Sequence, residues 1–430
     1  MSVPPRVELP VTQLLPPPFP VIGAHFAAAA IWAVAGGLGL IGVGPDLAQG
    51  AFLSPRVLAV THLFTLGWMT TVITGVLHQI FPAFLGIAPR SVAAIRGALL
   101  SHTAGVAALV AGLLTGRAGW QGAGWLLIGA AVLGTVWNLL SRRHQAARNR
   151  QLGSFVAAAF TNLGLAMVIA AVRIGDGLGL WTSPRLPLLA AHFHLAAAGF
   201  ATMVAFGAGS RMIPMFLSAV GPAEESLRWV PGLLGSGTVV FGAGMVCDWP
   251  AAVWLGAVLM VIAAARFLAL AAQWSRSRTR RVPDPASGLI LMALTALTLA
   301  LPTGVAALAS GAGNPQLLIS YVVLLILGWL TSLILGVSFR VVPTLIWHHR
   351  FAARMGRPGT PTLPALLMPP VGWAVLGCHG LGLVGLVTGI LGGQGRLSQG
   401  SAVLITMALG LTALHHLRIA LHRGSGDPRH

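Results

Sequence analysis

The sequence predicts an all-α integral membrane protein: about twelve transmembrane helices in three direct four-helix repeats related by a pseudo-threefold axis. Three observations carry that prediction. Of the 430 residues, 56% are hydrophobic and only 8% are charged, whereas a soluble domain carries about 25% charged residues. Twelve apolar runs reach the length that a bilayer demands of a helix, about 20 residues. One sequence frame occurs three times, and internal repeats of this kind set the architecture of a chain.

The frame is clearest in residues 191–214, AHFHLAAAGFATMVAFGAGSRMIP. It returns in 61–82, THLFTLGWMTTVITGVLHQIFP, and in 322–343, VVLLILGWLTSLILGVSFRVVP. Without gaps, Gly67, Gly199 and Gly328 coincide. So do Thr70, Thr202 and Thr331, then Gly75, Gly207 and Gly336, and finally Pro82, Pro214 and Pro343. Three residues before each proline stand Gln79, Arg211 and Arg340.

In chain order, residues 1–20 are a Pro-rich segment without the basic-then-apolar order of a cleaved signal, and read as a cytoplasmic tail. The expected spans lie near 21–44, 57–85, 93–115, 121–141, 152–174, 186–218, 230–248, 250–273, 287–310, 315–347, 363–391 and 398–421. They form one bundle over 21–422, with repeats at about 21–141, 152–273 and 287–421, followed by a short tail at 423–430. Spans 2, 6 and 10 carry the frame. They are separated by four spans each, so they point the same way and the repeat is direct. Their length implies tilt, or extension beyond the hydrocarbon.

The formal charge of +18 comes entirely from 26 arginines, with no lysine. They sit mostly in short loops between apolar runs, which argues for membrane topology and against nucleic acid as a partner. Eighteen fall on the side that holds both termini, five on the other, and Arg211, Arg266 and Arg340 fall within spans. That bias places both termini in the cytoplasm, as in a bacterial-type inner membrane protein. Cys247 and Cys378 form neither a disulfide framework nor a Cys-x-x-Cys site. The eight acidic residues fall in tails, loops or span ends. No carboxylate relay through the membrane is visible, which weighs against a proton pump or proton-coupled transporter.

Ionisable residues inside spans mark function, and imidazole is the usual protein ligand of haem iron. His62 and His194 hold the same frame position, near the outer ends of spans 2 and 6. Successive helical residues turn about 100°, so His192 and His194 point to opposite sides of span 6, and one helix can serve two neighbouring sites. The expectation is that His62 and His194 ligate one haem, in a slot lined by Gly67 and Gly199, and that His192 serves a second site. His25 and His102, at the cytoplasmic ends of spans 1 and 3, read as interfacial. So do His348, His349, His415, His416 and His422. Mid-membrane His379 stays open, and Arg211 and Arg340 read as snorkelling side chains.

The His-x-His of AHFH, followed by small and apolar residues, resembles the corresponding helix of the haem-copper oxidase catalytic subunit, a twelve-helix pseudo-threefold bundle. That resemblance implies a low-spin haem held by His194 and His62, with His192 at a second site. It differs in that the His-x-His lies on span 6 instead of span 10, where Val323 stands at the equivalent position. The His-Pro-Glu-like helix and the His-His pair of the family's copper site have no counterpart on spans 6 and 7. His194, Gly199, Thr202, Met203 and Arg211, together with His62, Gly67, Gly75 and Pro82, are closer to the NnrS-type membrane proteins. This second resemblance implies haem, of b type, with copper as a further cofactor. It also implies a part in nitric oxide response or respiratory electron transfer, with a quinol or electron-donor protein and a small gas ligand as partners. Two other functions fit the residues: a secondary transporter whose path is lined by the Gly- and Pro-marked helices, and a non-catalytic haem sensor.

Overall fold

A computed structural model describes residues 17–80, 89–140, 150–220, 224–279 and 284–422. Pro82, the segment 1–16 and the tail 423–430 lie outside the described residues. Among the described residues twelve membrane-scale helices follow one another: α1 (Phe19–Ala48), α2 (55–80), α3 (Val92–Thr115), α4 (Ala118–Leu140), α5 (Arg150–Gly177), α6 (185–217), α7 (Val230–Val246), α8 (Pro250–Ser277), α9 (Pro285–Ser310), α10 (315–351), α11 (Pro369–Leu391) and α12 (Gly395–Leu421). Eleven are long and apolar enough to cross a bilayer. The twelfth, α7, has 17 residues, at the lower limit of a spanning helix. Exposed Ile31, Leu100, Leu126, Leu133 and Val168 form part of an apolar outer belt. Exposed Trp120, Trp181 and Trp249 lie near one face, and Trp137, Trp229 and Trp373 near the other, where amphipathic indoles suit the headgroup region.

Helix ends follow local chemistry. Pro55, Pro250, Pro285 and Pro315 open α2, α8, α9 and α10, where the missing N–H costs nothing. The side chains of Ser91, Asp284 and Asn314 accept hydrogen bonds from the first-turn amides of Ala94, Ser287 and Leu317, as N-caps do. Asp284 also holds Arg340 at 2.9 Å. The carboxylate at the start of α9 thus anchors the arginine near the end of α10.

The three units share one packing scheme. In each, the third and fourth helices form a hairpin: α3 with α4, α7 with α8, α11 with α12. The fourth helix packs on the first helix of the next unit, α4 on α5 and α8 on α9, and α12 closes the ring on α1. The first helix of each unit lies against the marked second helix. The glycines of the frame explain that contact. A Cβ on Gly67 would come within 2.9 Å of Trp32 on α1, on Gly199 within 2.5 Å of Asn162 on α5, and on Gly328 within 2.7 Å of Ala296 on α9. Gly75, Gly207 and Gly336 meet His25, Phe155 and Ala286 at 2.8, 2.8 and 2.9 Å in the same sense. The shared glycines are therefore docking points for the first helix. They do not line a cofactor slot.

Each marked helix winds as a π-helix at the same place: Leu63–Thr70, His194–Thr202 and Leu324–Thr331. These three segments touch one another pairwise at the centre of the bundle, and the fully buried Trp329 donates from its indole N–H to Thr202 at 3.3 Å. The wider turn shifts hydrogen bonding from i→i+4 to i→i+5, so local carbonyls need other donors. Thr70 reaches back five residues to the Thr65 carbonyl at 2.8 Å. His102 on α3 donates from Nε2 to the Leu66 carbonyl at 2.9 Å, and His379 on α11 donates from Nε2 to the Leu327 carbonyl at 3.1 Å. Leu66 and Leu327 occupy the same frame position. His102 is therefore a buried helix-to-helix brace, not an interfacial residue, and His379 has the same task in the third unit. His415 is buried too, stacked on Phe339.

Replacing Gly199 by Ala should force the Asn162 contact apart and cost about 1–3 kcal/mol. A lowered midpoint of thermal unfolding in detergent is expected. The exposed-side control Gly97→Ala, whose Cβ meets nothing within 4 Å, should leave it unchanged.

Candidate functional site

His62 and His192 face each other across a cavity of about 270 Å³ between α2 and α6, walled on the far side by α3, α4 and α5. Their ring centroids are 6.3 Å apart, with 34° between the planes. The Nδ1 of His62 lies 2.7 Å from the Leu58 carbonyl, one turn back on its own helix, and that of His192 lies 2.9 Å from the Ala166 carbonyl on α5. A carbonyl only accepts, so each Nδ1 carries the proton and each Nε2 keeps its lone pair. Both rings are thus oriented and held in one tautomer by a backbone partner, the usual outer support of a metal-binding histidine.

His194 turns away from this cavity. It lines a second one, of about 290 Å³, between α6 and α10. Its Nδ1 is tied to the Ala190 carbonyl at 2.8 Å, and its Nε2 lies 3.3 Å from the hydroxyl of Tyr321, the only tyrosine in the chain. With Nδ1 donating, Nε2 accepts and the phenol donates. The ring also packs on Phe241, with centroids 4.1 Å apart. The partner of His62 across its cavity is therefore His192, and the expected pairing with His194 does not form.

The reason lies in the rotational repeat. Residues at the same frame position on neighbouring helices point the same way around the ring, so each faces the next cavity instead of its counterpart. The residue that completes a cavity comes from the other side of the next marked helix, two positions earlier in the frame. That rule generates all three pairs. His62 meets His192. His194 meets Tyr321, at a centroid distance of 5.8 Å with 21° between the rings. The third pair, Val323 and Val60, lines a smaller cavity of about 160 Å³. His192, Tyr321 and Val60 share one frame position. Of these three cavities, as the described residues line them, only the first has an imidazole from each of two marked helices.

The first cavity suits a haem held by two imidazoles. Two iron–nitrogen bonds of about 2 Å, with about 1.2 Å from each nitrogen to its ring centre, would separate the rings by roughly 6.4 Å. The observed centroid separation of 6.3 Å is of that size. The walls are apolar apart from Thr61, Thr65, Thr70 and Gln121, and Arg173 and Arg185 line the cavity towards the loop between α5 and α6. Arg173 is paired with Asp176 and donates to Ser183 at 2.8 Å, while Arg185 donates to the Leu53 carbonyl at 2.9 Å. The second cavity does not suit a ligated haem in the same way, because Tyr321 already occupies the free nitrogen of His194.

Among solved structures, a haem-copper terminal oxidase whose dimer was determined by cryo-electron microscopy is similar to this chain. The TM-score is 0.60 at 13% sequence identity, covering 94% of this chain and 85% of that one. No family model matches, and no curated protein matches. The likeness is one of fold. The chain is a polytopic helical membrane protein that shares its fold with that solved structure.

The Tyr321–His194 bond has a measurable consequence. Tyr321→Phe should strand a buried ring nitrogen and destabilise the protein by about 1–3 kcal/mol. In a double-mutant cycle with His194→Phe, unfolding should show a coupling of roughly 1 kcal/mol. Additive effects would mean that the two side chains are not bonded.

Proposed function

We propose that the protein is a haem-binding membrane protein in which His62 and His192 are the axial pair of one haem lying between α2 and α6. The observation that carries this reading is the 6.3 Å separation of two imidazoles whose Nδ1 atoms are both committed to backbone carbonyls. The resemblance to NnrS-type proteins implies a b-type haem, and the sequence has no Cys-x-x-Cys-His motif for covalent attachment. Bound there, it supplies a one-electron carrier. The protein's own residues do the rest. The Leu58 and Ala166 carbonyls hold the two rings in register and raise their basicity. The apolar walls exclude water and favour a less charged iron centre. Arg173 and Arg185 stand where the carboxylates of a haem can be met by guanidinium groups.

With His62 and His192 both holding it, a haem here would suit electron transfer, with a quinol or an electron-donor protein as the source. A part in nitric oxide response rests on the resemblance to NnrS-type proteins. It would use the second cavity, where His194 and Tyr321 face open apolar space. The arginine distribution supports both termini lying in the cytoplasm of a bacterial-type inner membrane, which would put the haem in the outer half.

The test is haem quantification and reduced-minus-oxidised spectroscopy of purified variants. His62→Ala and His192→Ala should each lose the low-spin signal, while His194→Ala should retain it. A spectrum unchanged in either of the first two would remove that residue from the coordination sphere. Loss in His194→Ala with retention in His192→Ala would restore the frame-matched pairing of His62 with His194.

A further inference from the structure

A small apolar cluster closes the bundle at the face where α10 and α12 end. Val342, Ile346, Phe351, Leu366 and Ile419 form it, apart from the main core. Three arginines stand around it. Arg350, on the last turn of α10, donates to the Ala420 carbonyl on α12. Arg418 on α12 donates at 3.4 Å to the carbonyl of Leu366, in the segment that joins α10 to α11. Arg354, just past α10, has its guanidinium 6.0 Å from the centre of the Phe351 ring, and that of Arg350 lies 5.8 Å from the same centre. The two charges are therefore no more than about 12 Å apart. The joining segment is itself tied down. Trp347 donates from its indole N–H to the Pro361 carbonyl at 2.8 Å, and Thr360 donates to the Arg354 carbonyl at 2.7 Å.

Neighbouring guanidiniums repel, and the ring and carbonyls that they touch hold them without neutralising them. Among the described residues, ion pairs engage Arg56, Arg173 and Arg340, and no carboxylate pairs with Arg350, Arg354 or Arg418. A guanidinium has five N–H donors, and Arg354 and Arg418 are exposed, so donors remain for an anion from outside. On the membrane side of Arg418 the outward face of α12 is apolar, with Met407, Leu414 and Leu417 exposed. Residues seven and four apart share a helix face, so Met407, Leu414 and Arg418 stand in line.

We propose that this corner binds one anionic phospholipid, its phosphate met by the guanidiniums of Arg350, Arg354 and Arg418 and an acyl chain lying along the outward face of α12. The planar fork of a guanidinium matches phosphate oxygens in pairs, and basic pockets between transmembrane helices take anionic headgroups. A soluble acidic partner would answer the charge alone. A phospholipid answers both the charge and the apolar face in line with it. The site goes beyond the haem reading and does not rest on it: Arg350 lies at the end of α10, whereas His62 and His192 lie near the starts of α2 and α6.

The experiment uses the full chain, purified in detergent and stripped of lipid. It is offered phosphatidylglycerol or phosphatidylcholine with matched acyl chains, one chain of each carrying a diazirine. After irradiation, peptide mapping should place phosphatidylglycerol on residues 407–421 several-fold more than phosphatidylcholine. This readout uses the wild type, so it holds even if a variant fails to fold. Native mass spectrometry should show one phosphatidylglycerol retained, undisplaced by millimolar inorganic phosphate. Arg354→Gln and Arg418→Gln should each weaken retention about fivefold, and together about twenty-five-fold. Arg228→Gln, at an exposed arginine over Trp229, should leave it unchanged. Equal labelling by the two lipids, displacement by inorganic phosphate, or undiminished retention in both folded variants would overturn the proposal. So would labelling that appears only once residues 424–430 are deleted, which would assign the surface to the chain's own end.

Discussion

The mutual contact of three π-helical segments at the bundle centre is the constraint on which the rest of this structure depends. In a bilayer, burying apolar surface gives helices little reason to associate, so packing detail and backbone hydrogen bonding decide. The π turns of α2, α6 and α10 bring the marked helices together, and loosen the backbone bonding that a regular helix would satisfy by itself. His102 and His379 meet that demand from the third helices of their units. The frame glycines let the first helices dock at backbone distance on the other side. α2 and α10 are thus each clamped between a glycine contact and a carbonyl brace, and α6 shares the glycine contact. Side chains that project between neighbouring marked helices are consequently held in fixed directions.

Those directions turn a sequence repeat into three different cavities. One rotation rule pairs frame positions across each gap, and the chain fills them as His–His, His–Tyr and Val–Val. The architecture is repeated while the chemistry is not. A single His-x-His on α6 serves two cavities, with its first imidazole turned to α2 and its second to α10. The third pair is apolar, although His194 also borders its cavity.

Much of this was legible in the sequence. Span count, repeat and marked helices follow from hydropathy and from the Gly–Thr–Gly spacing, because both are periodic and local. His62, His192 and His194 stood out in the sequence by their place within apolar runs. Their pairing did not. Matching frame positions implies matching depth, but azimuth around a helix, and hence which cavity a ring enters, depends on the handedness of the ring of helices. The glycines were misassigned for a related reason: a small residue marks close approach without saying whether a cofactor or a neighbouring helix approaches. The brace roles of His102 and His379 were hidden because nothing in an apolar run of leucines announces a π turn. The position of Thr70, Thr202 and Thr331 at the end of each π segment is the one signal in the frame that coincides with it.

The central claim is that the cavity between α2 and α6 holds one haem between two imidazoles. Low-temperature electron paramagnetic resonance of the oxidised, purified protein, read beside its haem content, tests it most directly. One haem per chain with a rhombic low-spin signal of bis-imidazole iron is the predicted result. A purely high-spin signal, or a folded protein that takes up no haem, would contradict it.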